Sequence, residues 1–106
     1  MALTFKQGDA FVLPISGTLN GSAISAADVV TLELMLGDLR KTYPEDMSYD
    51  AASGDFLLPL TQEETFAFDP GSYEYDMRVA FRGGSVLGMH KKGRFSVVDA
   101  TSEEVL

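Results

Sequence analysis

From Tyr73 to Arg82 the chain reads YEYDMRVAFR, an unbroken alternation with Tyr73, Tyr75, Met77, Val79 and Phe81 on one side and Glu74, Asp76, Arg78, Ala80 and Arg82 on the other. Successive side chains of an extended strand point to opposite faces, so this run predicts a strand with one core face and one wet face. Gly83-Gly84 then signals a reversal, and Leu87, Met89, Phe95 and Val97 continue the odd-numbered apolar set. Directly paired residues share a face, so a two-residue loop pairing Arg82 with Ser85 would scramble the faces. A three-residue loop through Ser85 preserves them. It predicts Phe81 opposite Leu87, Val79 opposite Met89 and Tyr73 opposite Phe95, with Asp76 facing Lys92 and Glu74 facing Arg94 on the wet side. A bulge near Gly93 would shift the far end of this hairpin.

Other segments repeat the strand signal more briefly. Leu3 and Phe5 share one parity, and Phe11, Leu13 and Ile15 another odd run beyond Gly8-Asp9, which predicts two short strands separated by a turn or bulge. Pro14 lacks an amide hydrogen, which places its strand at an edge or beside a bulge rather than in a fully paired interior. Residues 16–28 read as a loop with a minor strand around Ala23 to Ser25. In VVTLELML, Val30, Leu32, Leu34 and Leu36 face one way with Thr31 and Glu33 opposite, and Gly37 closes the run. These leucines share a strand face better than a helical stripe. A return strand over Leu39 to Tyr43 ends before Pro44, and a hairpin connection with Met47, Tyr49 and Ala51 leads to a strand at Phe56 to Leu60. There Pro59 argues against a fully paired position. Thr61 caps a short helix with Glu64 three residues on, as a capping box requires. Asp69-Pro70-Gly71-Ser72 has the residues of a type II turn.

Many short strands with turn signals and one brief helical turn near residues 61–66 predict an all-β antiparallel sandwich, in which each half-apolar sheet covers the other. The chain has 106 residues and fits a single domain over 1–106, with 99–106 as a flexible tail or the lead-in to an oligomer contact. It has no Cys, so disulfides, thiolate nucleophiles and Cys-type zinc sites are excluded. Eight basic against 16 acidic residues give a formal net charge of -8, which repels a phosphate backbone and predicts no nucleic-acid binding. MALTFKQGD carries no secretory signal pattern, and no apolar run reaches the roughly 20 residues of a membrane span. A soluble protein with no membrane partner is the expectation.

Residue types that carry chemistry are present but not arranged for it. His90 is the sole histidine, and with no nucleophile elbow around any serine it reads as a wet-face residue opposite Arg78 rather than a general base. Asp46, Asp50 and Asp55, or Glu63, Glu64 and Asp69, offer oxygen ligands for calcium, yet neither set has EF-hand spacing. Gly83-Gly84 lacks the context of a phosphate cradle. Phe66, Phe68, Tyr73, Tyr75, Phe81 and Phe95 have core-compatible spacing, whereas Tyr43 and Tyr49 are less constrained and are the candidates for an exposed contact patch or a carbohydrate platform. No catalytic, cofactor-binding or metal-ligating residue is assigned, and no cofactor is expected.

The ordered combination of FKQGD, VVTLELML, FLLPLTQEETFAFDPGSYEYDMRV and KKGRFSVVDATSEEV resembles the small immunoglobulin-like β-sandwich modules encoded with phage and prophage tail or baseplate genes, including the N-terminal domain of baseplate upper proteins. The resemblance maps framework positions onto Thr61, Glu64, Gly71, Tyr73 and Tyr75. It implies a non-enzymatic structural or adaptor subunit that assembles with other phage structural proteins or with copies of itself. Such a subunit is associated with the virion, or with the bacterial cytoplasm before assembly. The longer baseplate proteins carry a receptor-binding or fibre region beyond this module, so the resemblance implies assembly rather than direct receptor binding. Carbohydrate binding through exposed tyrosines is the alternative expectation.

Overall fold

The computed structural model describes residues 3–15, 18–19, 22–89 and 92–102. In chain order the elements are β1 (Leu3–Lys6), β2 (Phe11–Ile15), β3 (Thr18–Leu19), β4 (Ser22–Ala23), β5 (Val29–Leu36), β6 (Leu39–Tyr43), β7 (Ser48–Asp50), β8 (Asp55–Leu60), α1 (Gln62–Phe66), β9 (Gly71–Phe81), β10 (Val86–Gly88) and β11 (Gly93–Val98). The larger sheet runs β1-β11-β9-β5-β6, with β10 also paired to β9; the smaller runs β2-β8-β7, and β3 pairs with β4. The fold is all-β and sandwich-like, with one of its two main sheets curled into a half-barrel.

The alternation sorts residues between the layers. From the large sheet, Leu32, Leu34, Leu36, Val79, Phe95 and Val97 are buried. Against them the small sheet brings Phe56, Leu58 and Leu60, whose register partners are Ile15, Leu13 and Phe11. Pro14 lies on β2, an edge strand, and Pro59 lies beyond the reach of β7, which pairs only with Asp55 to Leu57. Neither proline interrupts a doubly paired stretch.

Four features differ from the sequence reading. Val30 is 49% exposed and Val29 2%, because the β5–β9 register shifts between Val29 and Thr31. A bulge there makes Val30 the extra residue and sends Val29 to the core. The Asp69 to Ser72 segment is not a type II turn: Gly71 has φ +152, far from the +80 or so such a turn requires, and it already pairs with Val97 in β9. The sandwich is not wholly antiparallel, since β1 runs parallel to β11 with Leu3 opposite Phe95 and Lys6 opposite Val98. Alternation reports which face a residue takes and carries no direction.

The fourth difference is in the hairpin after β9. Tyr73 opposes Phe95 and Glu74 opposes Arg94 as expected, but Leu87 opposes Val79 rather than Phe81. The loop has three residues, but they are Arg82, Gly83 and Gly84, closed by the Phe81 amide donating to the Ser85 carbonyl at 2.8 Å. Such loops place a left-handed residue last, and Gly84 at φ +95 fills that position where Ser85 would be strained. The registers of β10 and of β11 on β9 thus differ by two residues. An even slip leaves every side chain on its face.

The helix begins as expected. Thr61 accepts from the Glu64 amide at 3.1 Å, and the Glu64 carboxylate accepts from the Thr61 amide at 2.9 Å. Thr61→Ala should therefore lower unfolding free energy by about 1 kcal/mol, measured by urea denaturation; an unchanged midpoint would mean that packing alone holds α1.

Candidate functional site

The two-residue turn Gly37-Asp38 joins β5 to β6, and Gly37 takes φ +59, which glycine adopts without steric cost. The Gly37 amide donates to the Glu74 carbonyl at 3.0 Å, drawing the turn against β9. A side chain at Gly37 would meet the Phe68 and Tyr73 rings at 3.4 Å, so these rings lie directly beneath the turn. Phe68 and Tyr73 meet edge to face at 5.3 Å, and the Tyr73 hydroxyl donates to the Asp69 carbonyl at 2.6 Å. The α1 to β9 connection is thereby fixed opposite the turn.

Between them lies an open groove of about 680 Å³, with Leu39, Phe68 and Tyr73 as its apolar floor and Asp38, Glu63, Glu64 and Asp69 as its acidic rim. Lys41 lies on β6 opposite Leu34, on the core-facing side, and its ammonium pairs with Glu64 of α1. Burial pushes the Glu64 carboxyl up, but Lys41 and the Thr61 amide outweigh it and hold the group below the ordinary carboxylate range. The carboxylates of Asp38, Glu63 and Asp69 are exposed and make no ion pair or hydrogen bond within the described residues.

A second polar cluster lies on the outer face of the large sheet. Glu33 accepts from Arg40 at 2.7 Å and from Arg78 at 3.1 Å. The Arg40 hydrogen bond, working against burial and aided by Arg78, lowers the Glu33 pKa. These pairs take the place of the expected ones: Glu74 and Arg94 are register partners without an ion pair, and the Asp76 carboxylate accepts from the Met77 amide at 2.9 Å.

Of the acidic residues that offer calcium ligands, Asp46 and Asp50 serve their own turns, as Glu64 serves the helix cap. Asp46 accepts from the Thr42 amide at 2.9 Å, which lowers its pKa against the opposing effect of burial. Asp50 accepts from the Ala52 amide at 3.0 Å and from Ser53, ordering the β7–β8 turn. Among the described residues no group of three or more His, Cys, Asp or Glu is close enough to hold a metal ion. Tyr43 and Tyr49 do not stand out as a platform: both are half-buried and pack edge-on against Phe56, with ring centroids at 4.9 and 5.0 Å. His90 lies outside the described residues.

Glu33, Asp46 and Glu64 all have pKa values lowered in the folded state. The native protein therefore binds fewer protons than the unfolded chain across the carboxylate range. Their contribution is present above the unfolded pKa and is lost as pH falls through the folded one. Urea melts between about pH 6 and about pH 3 should show stability falling with pH, less steeply in a Glu33→Gln/Asp46→Asn variant. An identical slope in the variant would contradict this assignment.

Fold and groove together define a small all-β, two-sheet domain of a kind that serves structural or protein-interaction roles. No protein-family model matches the chain, and no curated protein matches it either.

In sequence Glu64 reads as a capping-box residue, Asp69 as a turn residue, and Glu63, Glu64 and Asp69 together as oxygen ligands, with nothing that joins them to Asp38 and Leu39. One signal was available. Lys41 shares the parity of Leu39 and Tyr43, so a charge on the apolar face of a strand called for a carboxylate partner from another element.

Proposed function

We propose that this chain is a non-enzymatic structural or adaptor module acting through protein–protein assembly, and more finely an immunoglobulin-like component of a phage or prophage tail or baseplate. The observation that carries the assembly reading is the groove, where the Asp38, Glu63 and Asp69 carboxylates have no partner among the described residues although the frame beneath them is tied down by hydrogen bonds and ring packing. A rigid frame presenting unsatisfied charge beside apolar surface is suited to docking, because little conformational entropy is lost on binding. The tail or baseplate assignment is supported by the resemblance of the sequence segments to that family. Its partners are then other virion proteins, and its location the virion or the bacterial cytoplasm before assembly. A carbohydrate-binding reading needs exposed tyrosines, and the packing of Tyr43 and Tyr49 on Phe56 does not favour it.

The test is size-exclusion chromatography with light scattering on the purified chain, alone and mixed with the products of adjacent genes. A defined mixed complex or ring supports the reading. A monomer indifferent to every neighbour overturns it.

A further inference from the structure

We infer that the groove between the Gly37-Asp38 turn and the α1 to β9 connection receives a cationic segment of a different protein, an extended stretch carrying Lys or Arg among apolar residues. This rests on the interaction-module reading and names the chemistry of the partner at that site. The floor of Leu39, Phe68 and Tyr73 fits apolar side chains, and the rim carboxylates of Asp38, Glu63 and Asp69 fit ammonium or guanidinium groups.

The chain contains an example of the same contact. Lys41 reaches Glu64 beside this apolar floor, with both side chains largely shielded, at 16% and 21% exposure. That pair occupies Glu64 and leaves the other three carboxylates for an incoming charge. Among the described residues the carboxylates do not converge closely enough for a metal ion. A second copy of the chain is disfavoured as occupant, since each copy carries a net charge of -8 and like charges repel. Nucleic acid is disfavoured for the same reason. Charge complementarity therefore selects a basic protein segment.

The experiment uses the full chain, isotopically labelled, titrated by NMR with a short synthetic peptide alternating leucine with lysine and arginine, and with its glutamate counterpart. The expected result is that the basic peptide shifts the amides of Gly37, Asp38, Leu39, Ala67 and Asp69 and the glutamate peptide does not. Binding should weaken about ten-fold in an Asp38→Asn/Glu63→Gln/Asp69→Asn variant, since each exposed pair contributes modestly. None of these three side chains bonds to another described residue, so the variant should fold, and its own spectrum is the check. As a second measurement on the unaltered protein, raising salt from about 50 to about 300 mM should weaken binding.

Shifts elsewhere, an equal response to the glutamate peptide, salt-insensitive binding or undiminished binding by the variant would each overturn the inference. The two readings fail separately. If the basic peptide binds in the groove and no neighbouring gene product associates, the groove assignment stands without the tail assignment. If a neighbouring gene product binds the triple variant as tightly as the parent, the tail assignment stands and the groove assignment falls.

Discussion

Phe95→Ala is expected to lower the unfolding free energy by about 3–5 kcal/mol, the range for emptying a buried aromatic site. Phe95 is 1% exposed and touches aromatic rings on several sides: Phe5 and Tyr73 stack on it at 5.7 and 5.3 Å, and Phe68 meets it edge-on at 5.6 Å. These rings come from β1, β9 and the α1 to β9 connection, so the cavity would open where three parts of the chain meet. Small domains have total stabilities of only about 5–15 kcal/mol, and a loss of this size should appear as a large drop in the urea midpoint. Phe95→Leu should recover much of it. A loss below about 1 kcal/mol for the alanine variant would mean that the ring cluster closes over the gap.

Thr65→Val should have the second largest effect, about 2–4 kcal/mol, although it changes neither volume nor exposure appreciably. Thr65 is 0% exposed, and its hydroxyl accepts from the Gly8 amide at 2.9 Å and donates to the Asp9 carbonyl at 2.8 Å. Valine keeps the shape and leaves both half-buried backbone groups without their Thr65 partner, which is costly on the side that faces the buried Thr65. The Gly8 turn has no simple alternative course: its φ is +87, and a side chain there would run into the Phe66 ring at 2.7 Å. Thr65→Ser retains the hydroxyl and should cost much less. If valine and serine variants melt alike, the hydrogen bonds are not the source of the effect.

The parts of the fold that were legible in sequence are those set by local chemistry. The alternation from Tyr73 to Phe81, the leucines of β5 and the Thr61–Glu64 capping box each declare themselves within about ten residues, and the structure places them as expected. Where two local solutions fitted the same residues, the pattern could not choose. Val29 and Val30 are equally apolar, and only the bulge against Phe81 and Ala80 decides which one is buried. The loop after β9 could have been placed correctly by requiring glycine at its left-handed position, a backbone rule that hydrophobic matching ignores.

The groove was less legible because it joins elements distant in sequence. Gly37 to Leu39 and Glu63 to Asp69 become neighbours only once β5, β6 and β9 lie side by side in one sheet. The residues around Tyr43 and Tyr49 lack a long period, so nothing local revealed that both rings turn toward Phe56.

The parallel pairing of β1 with β11 has a mechanical consequence. A pull that enters the domain at Leu3 and leaves at Val98 acts on opposite ends of two adjacent strands that run the same way. Such a load slides the strands past each other, so the backbone hydrogen bonds between them share the force and yield together rather than one at a time. The resistance is set by the rate of crossing that barrier and not by equilibrium stability alone. A domain threaded in this way bears tension along the line joining its terminal strands.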